Sequence, residues 1–164
     1  MSRRLDELAE VLGIELEITR RLLDLAKDAR AAVSAADAAL LAGIVGEQEQ
    51  WSAQMEEAEV RRAALAAELG RELGLEGTPR LADIAGRVPE EVGLQLRNVG
   101  RRLKGTADEL RRVGERNGEL LCAAAEQVDG FFEALARALR EAAGYRADGR
   151  ERQVRAAAMV DRTA

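Results

Sequence analysis

The feature that most constrains this chain is a series of apolar residues that recur at every third or fourth position over residues 90–143. This spacing places the side chains on one face of an α-helix, whereas a half-buried strand would alternate every second residue. A continuous helix of that length would be roughly 80 Å long. The positions of the series are Val92, Leu96, Val99, Leu103, Thr106, Leu110, Val113, Asn117, Leu120, Ala124, Val128, Phe131, Leu135, Ala138 and Ala142, of which only Thr106 and Asn117 are polar.

Beyond its first turn, five glycines interrupt this predicted helix: Gly100, Gly105, Gly114, Gly118 and Gly130. Relative to alanine they would together cost about 4–5 kcal/mol of helix stability. The long helix therefore needs other helices packed along it.

The N-terminal half of the chain predicts those partner helices. Leucines at helical spacing predict a first helix over about residues 3–33, and the stretch 34–37 predicts a break after which Asp37 caps the next helix. A near-regular heptad that includes Trp51 and Met55 predicts a second helix to about residue 73, with a coiled-coil-like seam. Trp51 is expected to be partly shielded in this seam.

The stretch 70–77 is rich in glycine and predicts an elbow within one domain. Thr78 and Pro79 are expected to be the N-cap and first residue of a short helix, and Pro89 precedes the long helix. The predicted fold is all-α: an elongated antiparallel helical bundle or coiled coil of three main helices plus a short elbow helix. The bundle is expected to cover residues 1–144, followed by a basic C-terminal tail over residues 145–164.

Composition excludes most enzyme chemistry. The chain has no His and a single Cys, so His-based catalysis, disulfides within the chain and multi-Cys metal sites are impossible. No Gly-rich phosphate loop is present, and no carboxylate pair is marked as catalytic. We predict a protein that is not an enzyme and has no catalytic residue, metal or cofactor. Cys122 is expected to be a small buried apolar residue.

Charge and hydropathy bear on the partners and on the location. The net charge of −5 argues against a nucleic-acid partner. No apolar run approaches the roughly 20 residues of a membrane span, so stable membrane insertion is not expected. The lone thiol and the lack of a signal-peptide pattern predict a cytoplasmic protein.

Four polar residues occupy positions of the apolar seams: Gln48, Arg62, Thr106 and Asn117. Such residues usually fix the register between helices or lie where a bundle is open to water. Alternatively they line a groove that a partner covers.

Several motifs, taken in order, resemble the FlgN family of flagellar export chaperones. They include LLDLAK at residues 22–27, EQEQ at 47–50 and the elbow TPRLADI at 78–84. The most specific are RNGELL at 116–121, FF at 131–132 and a Tyr-x3-Gly pattern at 145–149. The resemblance covers about residues 15–150.

The resemblance implies a cytoplasmic, substrate-specific chaperone of the flagellar type III export apparatus. Family members bind a C-terminal amphipathic helical segment of the hook–filament junction proteins FlgK and FlgL, and they dock on the export gate subunit FlhA. Small Ala and Gly positions on the long helix would let a client helix approach closely.

We place the client-binding site on the long helix, and periodicity alone does not divide client-facing from core residues. The candidates are Leu110, Val113, Leu120, Leu121, Val128, Phe131, Phe132 and Leu135. By the same resemblance, docking on the export gate is assigned to Tyr145 and Gly149. Tyr145 could instead close the last turn of the apolar seam.

Two alternative functions remain at this point. The chain could be a structural coiled-coil protein whose seam is satisfied by its own helices or by a homodimer. It could also be a peripheral membrane helix protein, although such helices have Lys- and Arg-rich polar faces and residues 1–143 carry a net charge of −7.

Overall fold

A computed structural model of the protein describes residues 2–77 and 79–144 and contains four helices. These are α1 (Ser2–Ser34), α2 (Ala38–Glu72), α3 (Leu81–Ala85) and α4 (Glu90–Gly144). No strand occurs in this part of the chain. The all-α prediction is confirmed, and so are the breaks between the first two helices and at the elbow.

The chain forms two compact units. Met1–Leu120 contains α1, α2, α3 and the first part of α4, whereas Leu121–Ala164 contains the rest of α4. The predicted tail over residues 145–164 lies outside the described residues.

Helices α1 and α2 form an antiparallel hairpin. Near its N-terminus, α1 places Arg4 beside Glu68 and Glu72 at the end of α2, with 2.8 Å between Arg4 Nε and the Glu68 carboxylate. Further along, Arg21 pairs with Glu47 near the start of α2 at 3.1 Å. These pairs are at least partly exposed, so each contributes little to stability. Apolar burial therefore supplies most of the hairpin's stability.

The turn between α1 and α2 is closed by backbone hydrogen bonds and a side-chain cap. The N–H of Asp37 donates to the carbonyl of Ala32 at 3.0 Å, and Ala36 adopts a left-handed φ of 54°. The Asp37 carboxylate then accepts the N–H of Leu40 at 2.9 Å, satisfying one unpaired donor of α2. The predicted cap at Asp37 is confirmed.

The main core lies where all four helices meet, near the elbow. Leu8 of α1, Leu69 of α2, Ile84 of α3 and Leu96 of α4 are each almost completely buried in one cluster. Trp51 is half-buried and packs against this cluster and a second one beside the α1–α2 turn, as expected for a partly shielded seam residue.

The elbow helix approaches α4 closely at two glycines. A Cβ at Gly93 would overlap the backbone carbonyl of Ala85, and one at Gly100 would lie 2.8 Å from the side chain of Leu81. Only glycine lets α3 lie this close, so part of the intrinsic cost of glycine in α4 is offset by tight packing.

The predicted start of α3 is wrong by two residues. The helix begins at Leu81 after an extended Arg80, whose N–H donates to the Asp83 carboxylate at 2.9 Å. Pro79 does not begin the helix, because its buried ring packs against Gly70 of α2. Thr78 lies outside the described residues.

Helix α4 runs parallel to α1 and antiparallel to α2. Its early residue Leu96 joins the cluster that contains Leu8, whereas Glu109 pairs with Lys27 later in α1 at 3.0 Å. The chain therefore runs up in α1, down in α2 and up again in the first part of α4 after the elbow, with the first two helices as a hairpin.

Candidate protein-binding surface

Up to Leu120, the apolar face of α4 is part of the core. Leu110 and Val113 pack against Leu23 and Ala26 of α1, and Val113 is buried. Leu120 is half-buried. Three of the eight predicted client-binding residues therefore lie wholly or partly within the first unit's own packing.

Beyond Leu120 the large apolar side chains of α4 that the structure describes are exposed. Six of them have between 42% and 64% of their surface accessible. We call this set the α4 stripe: Leu121, Val128, Phe131, Phe132, Leu135 and Leu139. Five of its members were among the predicted client-binding residues. Leu139 was missed, although it lies four residues after Leu135 and continues the same spacing.

The α4 stripe is one continuous helix face. With about 100° of rotation per residue, its six members lie within a sector about 100° wide. The buried residues Leu96 and Val113 fall in the same sector. The apolar positions of α4 therefore keep the same helical spacing, although Leu96 and Val113 before Leu120 are buried and the α4 stripe after it is exposed.

Two aromatic rings form the centre of the α4 stripe. Phe131 and Phe132 are in edge-to-face contact, with ring centroids 6.0 Å apart and ring planes at 69°. Both rings remain largely exposed. Exposed adjacent aromatic rings are uncommon on a surface without a partner and are typical of protein-binding sites.

Cys122 corrects one prediction. It was expected to be buried, but it is exposed. Its position is rotated by about 100° from Leu121, which places its thiol beside the α4 stripe instead of within it. The apolar neighbours Leu120 and Leu121 were a misleading signal, because adjacent helical residues point in different directions.

Two of the polar seam residues make contacts between helices. The Arg62 Nε donates to the Glu15 carboxylate of α1 at 2.7 Å, and Glu15 is almost completely buried. The Asn117 amide nitrogen donates to the Ala26 carbonyl at 2.6 Å, while its Oδ1 is buried without a hydrogen-bond partner in the described residues. Both contacts fix the register of helices against α1, as one reading of these positions predicted.

The Arg62–Glu15 pair borders a groove of about 460 Å³ between α1, α2 and α4. Leu22 of α1, Met55 of α2 and Leu103 of α4 also line this groove. Arg62 therefore fixes the register between α1 and α2 and also lines an open groove. The two roles that the sequence suggested for a polar seam residue occur together at this position. Thr106 does neither, since its hydroxyl donates to the Arg102 carbonyl of its own helix at 3.0 Å.

One carboxylate on α4 has a shifted acidity. The Lys104 ammonium donates to the Asp108 carboxylate at 2.8 Å, one turn along the helix. This hydrogen bond and the positive charge of Lys104 lower the pKa of Asp108 below its usual value. The pair is exposed and shows no arrangement suited to catalysis.

Within residues 2–77 and 79–144, no group of three or more Cys, Asp or Glu side chains could hold a metal ion. No helix in the same residues is long and apolar enough to cross a membrane. The features suited to recognition are the α4 stripe and the grooves of the first unit.

A comparison with models of known protein families identifies the family of this chain. The model described as FlgN protein matches residues 1–153, which is nearly the whole chain. The chain belongs to the FlgN family. No curated protein and no solved structure matched it.

FlgN proteins are flagellar export chaperones, and the family is not known as a family of enzymes. Tyr145 and Gly149, the predicted export-gate residues, fall within the family match but lie outside the described residues.

Proposed function

We propose that this FlgN-family chain is a cytoplasmic chaperone that binds the C-terminal helical segment of the junction proteins FlgK and FlgL and delivers them to the type III export gate. The observation that carries the proposal is the α4 stripe, an apolar helix face left exposed in a member of a chaperone family. An amphipathic client helix that lies against such a face uses the helix-in-groove mode of recognition, which needs neither ATP nor a catalytic residue.

The size of the α4 stripe sets the expected strength of binding. Complete burial of a Leu or Phe side chain contributes about 1.5–3 kcal/mol, so burial of the exposed half of each contributes about 1 kcal/mol. Six such residues supply about 6 kcal/mol before the cost of association, which is at least about 4 kcal/mol. Tight binding therefore requires further contacts beside the stripe, whereas the stripe alone gives the readily reversible binding that suits a delivery step.

Two substitutions test the client site. Phe131→Asp with Leu135→Asp places two carboxylates within the α4 stripe and should abolish binding of FlgK and FlgL in a pull-down or by calorimetry. Ala123→Asp with Ala134→Asp is the matched control, because both alanines are exposed and lie on another side of the same helix. Wild-type affinity in a folded Phe131/Leu135 variant would refute the placement, and so would an equal loss in the control.

Docking on the export gate subunit FlhA is proposed for Tyr145 and Gly149 on the strength of the family resemblance. A Tyr ring combines a large contact area with a polar hydroxyl, which is typical of interface centres. Tyr145→Ala should leave client binding intact and weaken binding to the cytoplasmic domain of FlhA by about 1–2 kcal/mol. Normal gate binding with a lowered melting temperature would instead make Tyr145 a packing residue.

A second candidate function rests on the same α4 stripe. Two copies of the chain could cover their stripes against each other, giving a structural coiled-coil homodimer without a client. Light scattering over a range of concentrations distinguishes the two functions. A dimer that Phe131→Asp with Leu135→Asp converts to a monomer, together with no FlgK or FlgL binding by the wild type, would favour self-association.

A further inference from the structure

A second surface, within the first compact unit, has a different chemistry from the α4 stripe. A cleft of about 580 Å³ lies between α3 and the early part of α4. Four cationic side chains border it: Arg80, Arg97, Arg101 and Lys104. No acidic residue lines the cleft.

Three of these cations have no acidic partner. In the part of the chain that the structure describes, no carboxylate lies within ion-pair distance of the guanidinium groups of Arg80, Arg97 or Arg101, and the Asp83 carboxylate meets only the backbone N–H of Arg80. Arg97 instead donates to the Ala85 carbonyl at 3.0 Å, and this contact holds its guanidinium at the cleft. Arg101 bonds only to the neutral side chain of Asn98. Their positive charge is therefore available to an anionic ligand.

The charge of the cleft is opposite to that of the protein. Residues 80–104 carry a net charge of +3, whereas the whole chain carries −5. A local positive surface on an acidic protein selects ligands by their charge and speeds their encounter. The positive charge alone would suit any anionic ligand. The residues at the floor of the cleft indicate which class of anionic ligand fits.

The floor is apolar and is continued by a second groove. Leu81 and Ala82 of α3 and the bare backbone at Gly100 line the cleft between the cations. Leu81, Gly100 and Lys104 also line the 460 Å³ groove that extends along α4 to Leu110. On its α1 and α2 side this groove also carries the Arg62–Glu15 pair and the side chain of Glu59, so the carboxylates of a ligand belong at the cleft and its apolar side chains in the groove. The two depressions therefore meet, and from Arg97 to Leu110 they follow about 20 Å of α4. That length accommodates about 13 residues of helix.

We propose that this cleft and the adjoining groove bind an acidic, amphipathic segment of a second protein, with its carboxylates at Arg80 and Arg101 and its apolar side chains over Leu81 and Gly100. The surface lies entirely within the first unit, so this proposal does not rest on client binding at the α4 stripe.

A peptide fits these features better than a nucleic acid or a lipid surface. Single-stranded nucleic acid binding uses aromatic rings on which bases stack, and no aromatic residue lines the cleft or the groove. A membrane surface favours a broad face rich in Lys and Arg, whereas here four cations border an apolar depression. Cations beside an apolar floor match the two faces of an acidic amphipathic helix.

The probe is a fluorescein-labelled peptide of about 14 residues, long enough for the 20 Å path, with Leu on one helical face and Glu on the other. Binding to the full chain is followed by fluorescence anisotropy. Arg80→Glu with Arg101→Glu reverses two unpaired charges at the cleft and should weaken binding at least tenfold. Arg111→Glu with Arg112→Glu makes the same change of charge on exposed residues of α4 outside the cleft, and should weaken binding less than threefold.

Further measurements distinguish an acidic peptide from other ligands. The same peptide with Gln in place of Glu should bind at least tenfold more weakly, and Ala82→Glu, which adds one negative charge at the floor, should also reduce affinity. Equal losses in the two Arg double variants, or equal binding of the Glu and Gln peptides, would overturn the proposal. So would a labelled oligonucleotide or an anionic vesicle of phosphatidylserine and phosphatidylcholine that binds more tightly than the peptide and depends on Arg80 and Arg101. Circular dichroism establishes that each variant is folded.

Discussion

The buried Glu15 carboxylate provides the sharpest test of how the bundle is held together. Its side chain is only 3% exposed, and its ionic partner is Arg62, 2.7 Å away on α2. Replacement of Arg62 by Leu would leave a buried carboxylate without its counter-charge. Removal of one partner from a fully buried pair costs about 3–5 kcal/mol. Because the Arg62 side chain is 39% exposed and borders an open groove, we expect a smaller loss of about 2–3 kcal/mol.

The assays are urea denaturation and thermal denaturation at neutral pH, both followed by circular dichroism. For a chain of this size each kcal/mol corresponds to about 2–4 °C in melting temperature, so Arg62→Leu should melt about 4–12 °C lower. Arg21→Leu is the matched control, because the Arg21–Glu47 pair also joins α1 to α2 but its side chains are 48% and 51% exposed. This control should lose less than about 1 kcal/mol.

A second substitution isolates the charge from the packing. If the unpaired carboxylate causes the loss, Glu15→Leu in the Arg62→Leu background should recover most of the free energy of unfolding, because an apolar pair replaces a buried charge. A double variant no more stable than Arg62→Leu would refute this reasoning. The same conclusion would follow if Arg62→Leu and Arg21→Leu lost equal stability.

Three further predictions concern single positions. Ala36→Gly should raise the free energy of unfolding by about 0.5–1 kcal/mol in urea denaturation, because Ala36 has a left-handed φ of 54°; a loss of stability would contradict this. Gly93→Ala should cost about 1–3 kcal/mol in the same assay, since its Cβ would overlap the Ala85 carbonyl, and an unchanged midpoint would disprove the close approach. Lys104→Met should raise the pKa of Asp108 in an NMR titration; because that pKa is lowered in the folded protein, the pair stabilises the fold at neutral pH, and this contribution is lost as the pH falls through the folded-state pKa.

The helices and their breaks could be predicted because they depend on local patterns. Apolar spacing identified the three long helices, and Asp37 marked the start of α2 through its ability to accept an N–H. The start of α3 was misplaced because Pro79 packs against Gly70, a residue of another helix. Local sequence identifies a proline suited to a helix start, but it does not show that tertiary packing uses the ring elsewhere.

The division of α4 into core and exposed parts could not be predicted for a different reason. Val113 and Phe131 fall in the same helical sector, yet one is buried and the other is 64% exposed. Periodicity defines a face, but burial depends on whether residues of other helices cover it. Likewise, the sequence marked Arg62 as an unusual seam residue, but its partner Glu15 depends on the register between α1 and α2, which neither helix encodes alone.

The exposed thiol of Cys122 has a practical consequence. It is the chain's single cysteine, so a maleimide dye attaches at one site without further engineering. Because the thiol is rotated by about 100° from Leu121, the dye would sit next to the apolar surface and report a bound protein without occupying its place. The same accessibility makes air oxidation a hazard, since a disulfide between two molecules would imitate a genuine homodimer on a sizing column. Measurements of oligomeric state therefore require a reductant or Cys122→Ser.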